Sequence, residues 1–147
     1  MVKQTRATLS RLPNWRARLA AEMDRQRRDP FAWGSHDCAL GLAAGAIEAI
    51  TGNDMAAEWR GRYTTPLGAL RVLRKAGHAS FTDFVAAHLP EHDHPDQADI
   101  GDIGLVESDG PVGVALCIVD ASGVIVMTET GHGRRPRSDM TRAFKVG

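Results

Sequence analysis

Residues 31–42 read Phe-Ala-Trp-Gly-Ser-His-Asp-Cys-Ala-Leu-Gly-Leu, and they place a cysteine directly after an aspartate where a glycine-containing loop gives way to a small-residue, apolar run. Asp37 has the chemistry of a helix N-cap, because its carboxylate can accept hydrogen bonds from the free N–H groups of a first turn. Cys38 is then the first helical residue, and the positive end of the helix dipole favours its thiolate, the form that attacks carbonyls. A thiol at such a position is equally compatible with simple packing, since free cysteine is among the most buried residue types. A nucleophile also needs a base, and two histidines are candidates: His36, two residues upstream, and His132, within Gly-His-Gly. A loop imidazole at His36 is better suited to line a cleft than to take a proton. Trp33, His36 and Asp37 are therefore the candidate substrate contacts. His88, His92 and His94, with Asp93 and Asp96, match no standard zinc spacing and sit in a proline-punctuated polar stretch, so a solvated linker is expected and neither metal nor cofactor. Cys117, between Leu116 and Ile118, reads as core packing.

The elements that must hold these groups follow from periodicity. Trp15, Leu19 and Met23 recur at i, i+4 and i+8, giving an amphipathic first helix that ends at Arg25–Arg28 before Asp29-Pro30. The run from Cys38 to Ile50 carries almost no charge before Glu48, so it is a central helix covered on most sides and stopped at Gly52. Thr65-Pro66 opens a third helix closed by Gly77, and Ser80 with Asp83 opens a short fourth. After the polar segment following Leu89 the style changes. Ile103–Val106, Val112–Val119, Gly123–Thr130 and Ala143–Val146 are short β-branched runs separated by Gly, Asp and Ser, which predict an antiparallel meander. Helices followed by strands predict an α+β domain, N-terminal helices first, with the sheet packed on the Cys38 helix.

The 147 residues suit one domain, and 43% hydrophobic with 24% charged residues at zero formal net charge is an ordinary globular composition. Residues 1–12 are polar and basic without periodicity and read as a flexible or partner-bound arm, leaving residues 13–147 as the domain. Two cysteines and no signal-peptide pattern point to synthesis in a reducing cytoplasm. No apolar run reaches membrane-spanning length, and no nucleic-acid module is present.

In this order the pieces resemble the NlpC-type cell-wall peptidases of the papain-like superfamily, and more closely a group of phage and prophage tail proteins related to them. The matching residues are Asp37-Cys38-Ala39-Leu40 and the Gly101-Asp102 pair before Ile103, within a likeness spanning roughly residues 30–130. The resemblance implies a papain-like fold, with Cys38 as the nucleophile of peptidoglycan peptide cleavage. It also implies a histidine base at the start of the second strand, where this chain has Pro111-Val112-Gly113-Val114-Ala115, and a polar orienting residue on the next strand, where Met127 and Thr128 stand. Proline cannot serve as a base, and Thr128 is the hydrogen-bonding candidate for the third role. A tight hairpin pairing Asp120 with Gly123 and Val119 with Val124 would, extended outward, put His132 opposite Pro111, nearly in the space of the family's histidine but on the neighbouring strand; a one-residue slip leaves it instead a solvated histidine in a Gly-His-Gly loop.

Two functions follow. The favoured one is a structural or adaptor component of a phage or prophage tail tip in which the catalytic site is degenerate. The alternative is an active cysteine peptidase built on Cys38, His132 and Thr128. Expected partners are other tail-tip proteins and, for the peptidase, peptidoglycan; the expected location is the bacterial cytoplasm at synthesis and the virion tail after assembly. A host thiol hydrolase unrelated to phages is a weaker third reading.

Overall fold

A computed structural model describes residues 8–147. The described residues form an α+β domain with four α-helices and a five-stranded antiparallel sheet. Helix α1 spans Trp15–Gln26. The central helix begins as a π-helical segment, Cys38–Ala43, and continues as α2, Ala44–Thr51, ending on Gly52 in the left-handed conformation at φ 82°. Helices α3 (Pro66–Lys75) and α4 (Phe81–His88) follow, each with the expected cap: Thr65 Oγ1 accepts from Gly68 N, and Ser80 Oγ accepts from Asp83 N. No helix among the described residues is long and apolar enough to cross a membrane.

The strands are β1 (Ile103–Glu107), β2 (Val114–Asp120), β3 (Gly123–Thr128), β4 (Gly131–Arg135) and β5 (Met140–Phe144), in the spatial order β4-β3-β2-β1-β5. The first four form a meander, and β5 returns to pair outside β1. Alternation sends Ile103, Leu105, Leu116, Ile118 and Ile125 toward the central helix, where they meet Leu42, Ile47 and Ile50. The opposite face gathers Val106, Cys117, Val119, Val124, Val126 and Met140. Phe144, Leu42, Ile50 and Ile118 are wholly buried. Each such side chain stabilises the fold by about 1.5–3 kcal/mol relative to exposure.

The β2–β3 register is the expected one, Asp120 with Gly123 and Val119 with Val124. Its outward continuation is not. β3 ends at Thr128, and Thr128 pairs with Gly131, so the chain reverses over Glu129 and Thr130 and His132 enters β4 opposite Met127. Thr128 Oγ1 holds this reversal by donating to Gly131 O at 2.9 Å and accepting from Thr130 N at 3.3 Å. The pairing of His132 with Pro111 is therefore corrected: the hairpin is too short to reach it.

Residues 1–7 of the segment read as a basic arm lie outside the described residues. Residues 8–12 are fastened to the domain. Leu9 packs on the core, Leu12 N donates to Ile50 O, and Arg11 donates to Val146 O, Ile100 O and the Asp102 carboxylate. Asp102, 1% exposed, is the hub of this corner. Its Oδ1 also accepts from Val146 N, and its Oδ2 bonds His92 Nε2 at 2.8 Å and accepts from Asp99 N at 2.9 Å. A buried carboxylate persists only when so paired.

Candidate functional site

Asp37 sets the start of the central helix. It is extended at φ −96° and ψ −175°, 2% exposed, and its Oδ1 accepts from Ala39 N at 3.0 Å and Leu40 N at 2.8 Å. Its Oδ2 accepts from Gly34 N at 3.1 Å and from the Tyr63 hydroxyl at 2.6 Å. The carboxylate is thus saturated by the helix start, the incoming loop and one phenol. Burial, and then the adjacent Asp37 carboxylate that accepts its hydrogen bond, push the Tyr63 hydroxyl up, so it stays protonated.

Cys38 comes next, on the floor of an apolar cavity of about 200 Å³. Phe31 and Trp33 of the incoming loop form one wall, Trp59 and Tyr63 of the connector a second, and α3 with α4 a third through Leu70, Leu73, Phe81 and Phe84. The sheet side closes with Pro111, Val112, Val114 and Met127. Burial pushes the Cys38 thiol up to about 12; the hydrogen bond from the Leu116 backbone opposes this, while the Asp37 charge adds to it. Desolvation therefore overrides the helix dipole, and the thiol is held neutral rather than activated.

Of the residues singled out by sequence, Cys38, Asp37 and Trp33 share this cavity, and His36, His132 and Thr128 do not line it. Thr128 is exposed at the β3–β4 turn. The β3 side chain on the helix side is Met127, which packs on the same core as Cys38. His36 turns away onto the other flank of the central helix, against Gly41. There its Nε2 is buried with no hydrogen-bond partner among the described residues, and its ring borders a polar depression of about 600 Å³ with Glu22, Arg25, Glu48 and Arg60.

His132 approaches that flank from β4. Its backbone N donates to Arg27 O, and its Nε2 lies 3.3 Å from Gln26 Oε1. Gln26, fully buried, donates through Nε2 to Glu22 Oε2 at 2.6 Å and Gly41 O at 3.1 Å. Both of these are acceptors, so Oε1 must be the acceptor toward His132, and His132 carries its proton on Nε2. Burial holds the His132 pKa below the ordinary imidazole value, with His36 and Arg27 acting in the same direction.

The remaining histidines are separately engaged. His92 pairs with Asp102, His94 Nδ1 accepts from Asp96 N, and His88 Nδ1 bonds Phe84 O. Among the described residues no three His, Cys, Asp or Glu side chains are grouped to hold a metal ion.

Three features of the structure carry no motif in the sequence. Tyr63, the sole tyrosine, lies 26 residues from the aspartate it serves; Gln26 is hidden within an Arg-rich run; and Asp102 reads as a strand opener rather than a hub. The available signals were the single tyrosine in the connector before α3 and an amide in the last turn of α1.

Fold and site together define an α+β domain whose helix-leading cysteine lies half-buried beneath an aromatic-walled cavity. The family model described as Domain of unknown function (DUF6950) matches residues 10–146, and the chain belongs to that family. No curated protein and no solved structure matches it.

Proposed function

We propose that this chain is a papain-like, NlpC-type domain that has lost peptide hydrolysis and serves as a structural or adaptor component of a phage or prophage tail tip. The reading is supported by a helix-leading Asp37-Cys38 pair set on an antiparallel sheet whose first strand follows Gly101-Asp102, and the tail assignment rests on the sequence resemblance. The observation that carries the loss of catalysis is the composition of the Cys38 cavity. No imidazole of the described residues lines it; Pro111, where the resemblance would put the base, does line it, and of Met127 and Thr128, the two candidates for the orienting role, Met127 alone does. A general base must lie within hydrogen-bond reach of the proton it removes, directly or through one water, and here the walls at both positions are apolar.

Alkylation of Cys38 as a function of pH, paired with peptidoglycan digestion by wild type and Cys38→Ala, tests this. A thiol held near 12 reacts at pH 8 on the order of a thousandfold more slowly than a free cysteine of pKa about 8.5. No peptide release is expected from either protein. Peptides released by wild type and not by Cys38→Ala would establish the peptidase instead. Detection of the chain in purified tails checks the location, and its absence there would remove the tail assignment.

A further inference from the structure

We infer that the cavity above Cys38 is a binding site for one small, uncharged aromatic molecule of benzene or indole size. The inference rests on the non-catalytic reading of Cys38. Size sets the first limit: about 200 Å³ is slightly more than the roughly 150 Å³ of a dry cavity that accepts benzene, enough to hold one ring system.

The polar inventory sets the second. Both Asp37 oxygens are occupied, the Tyr63 proton is committed to Asp37, and Ser108 Oγ at the rim accepts from Gly110 N. The Cys38 thiol is a weak donor. Among the described residues no charged group with a free valence faces the cavity, so a charged ligand would be desolvated without compensation. The walls set the third. Trp33, Trp59, Phe81, Phe84 and Met127 offer ring faces, ring edges and a thioether, and Trp59 and Phe84 already meet edge to face with centroids 5.1 Å apart. Helices α3 and α4 hold this wall in place, so the site is formed before the ligand arrives.

The test uses the full chain with benzene, toluene and indole against phenol and benzoate, read by thermal shift and by protection of Cys38 from alkylation at pH 9. Cys117, fully buried, is the internal control for intactness. Toluene or indole at ten times its Kd should raise the melting temperature and slow alkylation about tenfold, by mass action. Phenol should bind more weakly and benzoate not at all. Val112→Trp, which fills the cavity from a loop, should abolish the response; if that variant melts early, Leu70→Trp on α3 answers the same question. No protection by any neutral ring, benzoate equal to toluene, or an undiminished response in the filled variant would overturn the inference. These failures are distinct from that of the non-catalytic reading, which falls only on peptide release.

Discussion

At Cys38 the cavity and the carboxylate beside it act in the same direction: both make the thiolate costly, and the hydrogen bond from the Leu116 backbone does not offset them. The consequence is measurable as stability. In the unfolded chain the thiol ionises near about 8.5, whereas in the folded chain it ionises near about 12. Below the unfolded value both states keep the proton and nothing is lost; above it the unfolded state alone is stabilised by ionisation. Stability is therefore present at neutral pH and falls as pH rises through that window. Urea unfolding at pH 7 and pH 10 should show Cys38→Ala losing about 2 kcal/mol less over the interval than wild type. An equal loss in both would mean that the thiol is solvated. The cap at Asp37 was readable from residue types alone, because an N-cap is a local event. Its link to Tyr63 was not, because a hydrogen bond across 26 residues leaves no trace in spacing.

At the level of elements, the central helix departs from propensity in an informative way. Glycine inside a helix is ordinarily worse than alanine by about 1 kcal/mol. At Gly41, however, a Cβ would meet the His36 ring and stand 2.9 Å from His36 Cα, and backbone cannot yield cheaply. Gly41→Ala should therefore destabilise the protein by about 1–3 kcal/mol, reversing the usual sign, with the loss read in chemical denaturation. A stabilised Gly41→Ala would show that the His36 loop gives way freely. The capped helices and the β2–β3 hairpin were legible because Thr65, Ser80, Gly52 and the Asp120–Gly123 turn declare themselves in a few residues. β4 was not: Gly-His-Gly-Arg-Arg has no β-branched pattern, and this edge strand is recruited by pairing with β3. β5 starts three residues before the Ala143 at which the β-branched pattern begins, because Met140-Thr141-Arg142 is half polar and is held in the strand by pairing with β1. The site failed to match expectation for the same reason. A two-residue turn moved His132 one strand outward, beyond what extending a hairpin register can foresee.

For the whole molecule, Asp102 joins parts of the chain that are far apart in sequence: Arg11 before the first helix, His92 and Asp99 in the polar connector, and Val146 beyond the last strand. Asp102→Ala would take the carboxylate from Arg11 and His92 and leave the buried Val146 N–H and the partly buried Asp99 N–H without their acceptor, and should cost about 3–5 kcal/mol. The order of events in folding follows from the same corner. The Arg11 contact spans 91 residues and the Val146 contact 44, whereas the β1–β2 and β2–β3 hairpins close over short turns. Long closures are entropically expensive until the intervening chain is already structured. The hairpins and the central helix should therefore condense first, with the Asp102 corner knitting the chain together only after the rate-limiting barrier. In stopped-flow refolding, Asp102→Ala should leave the folding rate nearly untouched and place its cost in faster unfolding, a φ-value near zero. A refolding rate slowed in proportion to the lost stability would put the corner in the nucleus. The carboxylate that looks like a strand opener thus acts as a late latch, governing how long the folded molecule lasts rather than how quickly it forms.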